Sequence, residues 1–373
     1  MKIEISANDL NAMLKDVCKC VDTRPAVAWM KGLLLEAKDG KLCGIATNGN
    51  QTITKRSDCD VQEPGVIVLE DGKRFAEVVS KLSGSCKIET SADGKKVNIK
   101  AKGSKTSMLL QEEDTFVKPE PFEPTIELNV SADELCRALK GVQYAISKND
   151  YRIALTGANV NFENGEAQVV GLDGFRLGVY RLHCLETGSN LSTRMIIPGH
   201  TVSSILGIFG ECETVNITSD GKKIALSGDE ANEVCVQAQL LAGDYPDYRR
   251  IMPKQSTTKV QVNVKELRGA VSRALLMCGL STLLKFRIDQ DQIVITSNSE
   301  IGDSEECVEC MTEGEPMEIA FNGRFLLEAL NCADCEDIMM KMTTSAAPAV
   351  LMAADGGDWL HMVLPVRVVG AAN

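Results

Sequence analysis

The stretch Ile5–Val17, ISANDLNAMLKDV, reads as a β-like run, a polar cap and an amphipathic helix, and it occurs three times. It returns as VSADELCRALKGV at Val130–Val142 and as VNVKELRGAVSRA at Val262–Ala274. The helix leucines Leu10, Leu135 and Leu267 lie 125 and 132 residues apart, a spacing of whole domains rather than of solenoid units. A second marker keeps the same interval. Strand-to-turn segments around Asn48 (GIATNGN), Asp173 (VVGLDGF) and Asn298 (VITSNSE) are spaced by 125 and 125. The chain therefore reads as three copies of one domain, and its function is expected to come from setting copies side by side rather than from one active site.

Composition agrees. With 373 residues of which 44% are hydrophobic, three domains of ordinary size can each bury a core. The start MKIEISANDL has no apolar run behind a basic segment, and no window reaches the ~18 apolar residues of a membrane span. A soluble, cytoplasmic protein without membrane contact is expected. The 14 cysteines are scattered, and Cys136 and Cys278 fall inside apolar helix patterns. In a reducing compartment they are expected to act as small buried hydrophobes. A net charge of −12 argues against coating nucleic acid over the whole surface and leaves room for one basic face.

Proline marks the joints: Pro119, Pro121 and Pro124 lie in FVKPEPFEPTIEL, and Pro246 and Pro253 in GDYPDYRRIMPK. Proline fixes φ and removes a ladder donor, so both segments read as extended linkers. The expected domains are 1–125, 126–254 and 255–373. Within each, the pattern is a strand, the repeated helix, several alternating strands, a second helix and more strands. The second helices begin near Asp71, Pro198 and Asn322, each at a turn or cap signal. Each domain is thus α+β, with two helices on antiparallel strands.

The first helices carry cations at face-sharing spacings: Lys15 and Lys19, Arg137 and Lys140, Lys265 and Arg268, with Arg273 further on. Arg24 and Lys148 follow the first two helices. One such helix alone is an ordinary solvated face. Recurrence in three copies of an acidic chain points instead to a common surface suited to phosphates and not to base edges. Aromatic residues are 4% of the chain, which argues against a stacking platform for single strands and favours duplex backbone contact.

These repeats, together with GLDGFRL at Gly171–Leu177, YPDYRRIMP at Tyr245–Pro253, FNGRFLLEAL at Phe321–Leu330 and LHMVLPVR at Leu360–Arg367, resemble the bacterial DNA polymerase III β-subunit family, the sliding clamps. The resemblance implies three clamp-type domains per chain and a head-to-tail homodimeric ring around double-stranded DNA, bound without regard to sequence through Lys15, Lys19, Arg24, Arg137, Lys140, Lys148, Arg152, Lys265 and Arg268. It implies a non-catalytic processivity factor without a cofactor, whose partners are the replicative polymerase, the clamp loader and other proteins carrying a clamp-binding motif. Such partners would dock in a groove formed by Leu155, Leu172, Gly174, Phe175, Arg176 and Leu177, by Pro246, Arg250 and Ile251, and by Phe325, Met362, Val363, Leu364, Pro365, Val366 and Arg367. An apolar trough rimmed by a few cations suits that task. Phe175 stands where family members often carry a histidine, and Ile153 and Ala154 stand where aromatic residues near DNA occur in relatives. The dimer seam would join Lys73, Arg74, Met108 and Leu109 to Leu275, Leu276, Asp303 and Glu305, opposite charges flanking leucines.

A rival reading is a cysteine-ligated zinc protein or thiol enzyme. CVEC at Cys307–Cys310 and CADC at Cys332–Cys335 are separated by 21 residues, just outside the usual zinc-ribbon window. Against it, Cys307 and Cys310 lie in an expected strand, where positions three apart face opposite ways. His183, His200 and His361 fall in different segments without spaced carboxylates, and no P-loop, GxGxxG or GxSxG is present. Asp173 reads as a turn residue, because Asn48 and Asn298 hold its place in the other repeats.

Overall fold

The repeated phrase folds as it reads. In the computed structural model, which describes residues 1–22, 25, 27–163, 166–187 and 193–367, the three copies form helices α1 (Ala7–Val17), α3 (Ala132–Gln143) and α5 (Val264–Leu276). Ser6 caps α1 by accepting the Asn8 amide at 3.2 Å, and Asn263 caps α5 by accepting Lys265 and Glu266 amides at 3.1 and 3.2 Å. Leu10, Met13, Leu14 and Val17 repeat at helical spacing and are buried, as are Leu135, Ala138, Leu139 and Val142 in α3. The second helices are α2 (Gly72–Val79), α4 (Gly199–Ile208) and α6 (Gly323–Cys332). Asp71 and Asn322 cap α2 and α6 through the amides of Arg74 and Arg324.

The strands form two antiparallel sheets, each inside one of two compact units. The first unit, residues 1–136, 184–191 and 200–240, holds a fourteen-stranded sheet; the second, 137–183, 192–199 and 241–373, holds a twelve-stranded one. The middle repeat contributes strands to both. In the first sheet Val234–Gln239 of the middle repeat pairs with Gln51–Asp58 of the first, in register Gln51 to Ala238. In the second, Arg176–Leu182 pairs with Trp359–Val363 of the third repeat, in register Arg176 to Val363. Repeats are thus joined edge to edge by backbone ladders, which satisfy donors that a lone repeat would leave open.

Two details depart from expectation. The second proline linker is not extended throughout, because Asp247 accepts the Arg249 amide and starts a 3-10 turn at Tyr248–Arg250. The cysteines are also less uniformly buried than expected: Cys18, Cys20, Cys86 and Cys278 are, but Cys136 is half-buried and Cys307 exposed.

Glycine sets how closely α3 lies on its sheet. A Cβ on Gly141 would come within 2.0 Å of the Tyr180 ring, and one on Gly171 within 2.4 Å of the Val142 carbonyl oxygen. Gly141→Ala should therefore force overpacking worth ~1–3 kcal/mol. Chemical denaturation should show that loss, whereas Gly210→Ala, with nothing within 4 Å, should unfold like the parent.

Candidate functional site: an apolar groove and the cationic helices

The hairpin at Leu172–Leu177 builds the groove's first wall. Asp173 Oδ1 accepts the amides of Phe175 and Arg176 at 2.9 and 3.0 Å, and Gly174 supplies the φ of +92° that this turn needs. The turn leaves Phe175 60% exposed while Leu172 and Leu177 point into the core. The chain end forms the other wall. Leu364 donates its amide to the Phe175 carbonyl at 2.9 Å, and Val366 donates to Ala320 at 2.7 Å, so Leu364–Val366 is stitched down on both sides. Leu364 and Pro365 are half-buried and Val366 and Arg367 exposed, unlike a strand sealed in a core.

Beneath lies one cluster of Ala154, Leu155, Val170, Leu172, Leu177, Val179, Tyr245, Val350 and Met362. Val363 is buried, while Pro246, Ile251 and Arg250 stay exposed on the linker. Phe325 on α6 lies 6.0 Å from Phe175, ring centre to ring centre. The carried-over groove residues thus lie in the second unit, and the cluster draws in Tyr245 and Val350, which sequence reasoning did not include.

Arg176 is part of the wall rather than the rim. It is buried, donates Nε to Asp173 Oδ2 at 2.9 Å, pairs with Glu328 on α6, and lies 4.3 Å from the centre of the Phe325 ring. Asp173 therefore does more than shape a turn. Glu328 was not foreseen, although it sits three residues after Phe325, on the same helix face.

Behind this wall, His361 is fully buried against Tyr144, Tyr180 and Trp359. The Tyr144 hydroxyl donates to Leu177 O at 3.1 Å and lies 2.8 Å from His361 Nδ1, so that nitrogen carries the proton and Nε2 is left a buried acceptor without a partner among the described residues. Burial holds the ring neutral, pushing its pKa from 6.5 down to about 3. His183, by contrast, lies at the surface, 3.2 Å from the carboxylate of Asp358, a residue far from it in sequence.

The helix cations divide. Lys15, Arg137, Lys140, Lys148, Arg152 and Lys265 are exposed and Arg268 is half-buried, while Arg24 lies outside the described residues. Lys19 does not belong to the α1 face. It sits in the 3-10 turn Cys18–Cys20 and is held by Asp16 at 2.5 Å and by Gly207 O at 2.7 Å, because Asp16 is buried and demands a counter-charge. Arg273 is similarly tied to Glu306 at 2.6 Å. Among the described residues no group of three or more His, Cys, Asp or Glu is placed to hold a metal, and Cys332 ends α6 with its thiol directed to Lys140 O.

The fold defines a chain of tandem α+β repeats joined edge to edge by backbone ladders, with an apolar cluster at the joint of the second and third. Residues 1–116, 129–247 and 249–367 match, in order, the N-terminal, central and C-terminal domains of the DNA polymerase III beta subunit. The chain belongs to that family, the sliding clamps of DNA replication. It is 26% identical to the beta sliding clamp of Bacillus subtilis over 98% of this chain and 100% of that one, and 23% identical to that of Vibrio cholerae over 99% and 100%. Its fold is similar to a putative DNA polymerase III beta subunit from Eubacterium rectale, with a TM-score of 0.90, 25% identity and coverage of 99% and 100%. The Bacillus subtilis sliding clamp matches with a TM-score of 0.92 at 24% identity over 99% of both chains.

The buried histidine makes stability depend on pH. Its pKa is depressed in the fold, so below about 6.5 the unfolded chain takes up a proton that the folded one refuses, and stability falls as pH drops from 6.5 toward 3. The slope should approach ~1.4 kcal/mol per pH unit. Urea titrations at pH 7 and pH 5, a window above most carboxylate titration, should show the loss, and His361→Gln should reduce it to the smaller share left by His200, whose burial also lowers its pKa.

Proposed function

We propose that two copies of this chain close head to tail into a ring around duplex DNA and hold replication proteins by short peptides in the groove. The observation that carries this is a pair of half-open strands of opposite charge. Ser104–Leu109 pairs with Lys96–Ala101 on one edge only, and Gly302–Glu309 pairs with Gln292–Ser299 on one edge only, each crossing to a second partner just beyond. The first is flanked by Lys95, Lys96, Lys100, Lys102 and Lys105; the second carries Asp303, Glu305, Glu306 and Glu309. Two unlike edges with complementary charge favour a heterologous contact, and two such contacts close a ring.

The proposed seam residues fit. Met108 and Leu109 lie on the lysine-flanked strand, with Lys73 and Arg74 on α2. Leu275 and Leu276 end α5, and Leu276 is 75% exposed. In the ring, α1, α3 and α5 face the duplex with Lys15, Arg137, Lys140, Lys265 and Arg268, joined by Arg24, Lys148 and Arg152. Phosphate contacts of this kind are weak, salt-sensitive and blind to sequence, so topology rather than affinity retains the protein. The replicative polymerase, the clamp loader and other motif-bearing proteins take the groove, and the protein works in the cytoplasm.

Light scattering should report twice the chain mass of 40.4 kDa, and Leu275→Asp with Leu276→Asp should yield a monomer by burying unpaired charge. A parent that stays monomeric at all concentrations refutes the ring. After loading on nicked circular DNA, the protein should survive a high-salt wash and leave only when the circle is cut. Equally fast loss from circular and linear DNA shows that the duplex was never enclosed.

Docking is checked separately. Phe175→Ala with Leu364→Ala should weaken binding of the replicative polymerase ~100-fold or more, since the two side chains at ~1.5–3 kcal/mol each sum to ~3–6 kcal/mol of contact. The dimer should be unaffected, and unchanged polymerase affinity removes the groove from the account.

A further inference from the structure

We infer that the joint between the first and second repeats is a second copy of the groove with its lining exchanged, so that Thr47, Asn50, Thr52, Gln237 and Gln239 confine peptide capture to the joint between the second and third. The inference rests on the reading of the latter joint as the peptide groove.

The backbones of the two joints correspond residue for residue at an offset of 125. The hairpin Thr47–Thr52 closes as Leu172–Leu177 does. Asn48 Oδ1 accepts the amides of Asn50 and Gln51 at 3.1 and 2.8 Å, as Asp173 Oδ1 accepts those of Phe175 and Arg176 at 2.9 and 3.0 Å. Gly49 has φ +87° and Gly174 φ +92°. Gln51 opposes Ala238 as Arg176 opposes Val363. The same stitch closes both: Gln239 donates its amide to Asn50 O at 2.9 Å, and Leu364 donates to Phe175 O at 2.9 Å. The first joint also keeps open space, a cavity of about 210 Å³ bordered by Gly49, Asn50, Thr52, Gln237 and Gln239.

Only the chemistry differs. Where the groove has Leu172, Phe175, Leu177, Met362 and Leu364, the first joint has Thr47, Asn50, Thr52, Gln237 and Gln239. Its polar groups hold the chain's own linker. Gln237 Nε2 donates to Glu120 O at 3.0 Å, and Lys223 Nζ lies 3.6 Å from the Glu120 carboxylate. At the position of Lys223 the third repeat has Pro348, which offers no such strap. An apolar peptide side chain entering the first joint would strip these amides and hydroxyls of hydrogen bonds and gain little contact in return.

The test titrates the full-length protein with a short fluorescent peptide carrying one Leu and one Phe and reads stoichiometry. The parent should take one peptide per chain. Asn50→Phe/Gln237→Met/Gln239→Leu, all at exposed or half-buried positions, should take two. Adding Phe175→Asn and Leu364→Gln should weaken the native groove at least ~10-fold and return the count to one, now at the first joint. Should the triple variant lose cooperative unfolding, Asn50→Phe/Gln239→Leu, confined to exposed residues, carries the same expectation. A parent that binds two peptides, or a folded variant that still binds one, overturns the inference. A parent that binds none overturns instead the groove reading beneath it.

Discussion

The joint on which the proposed docking groove rests depends on the backbone ladder between the second and third repeats. A β-edge is a row of open donors and acceptors, and the strands Arg176–Leu182 and Trp359–Val363 spend theirs on each other. The register of that ladder is pinned by the turn at Asp173 and by the bond from Leu364 to Phe175. A slip of one residue would turn Leu177 and Met362 out of the core and the groove would vanish. No single repeat contains the groove, because its floor is drawn from two.

Charge is placed with similar economy. The chain is acidic overall, yet its first helices present exposed lysines and arginines while buried Asp16 consumes Lys19 and Lys55. Arg176 is likewise consumed, by Asp173 and Glu328, and stiffens the wall on which Phe325 rests. Cations held by buried carboxylates shape the fold, and the exposed ones on the helix faces are those the proposed ring would set against phosphates.

The fold was legible because its signals are local and repeated. Cap residues Ser6 and Asn263 and leucines at helical spacing depend on neighbours in sequence, and the helix phrase recurs three times along the chain, which leaves little room for accident. The zinc reading of CVEC and CADC faded for an equally local reason: Cys307 and Cys310 lie on the strand Gly302–Gly314, one exposed and one half-buried. Lys19 misled because α1 ends at Val17, and a residue in the next turn no longer shares its face.

By itself, then, the sequence determined the three α+β repeats, the apolar character of the groove segments and the acidic balance, since composition and periodicity need no partner to be read. Tertiary structure decided what depends on distant residues meeting. It paired Arg176 with Glu328, sealed His361 behind Tyr144, and gave the strands Ser104–Gln111 and Gly302–Gly314 their half-open edges. Burial and hydrogen bonding are properties of the surroundings, and the surroundings of these groups are supplied by segments up to 217 residues away.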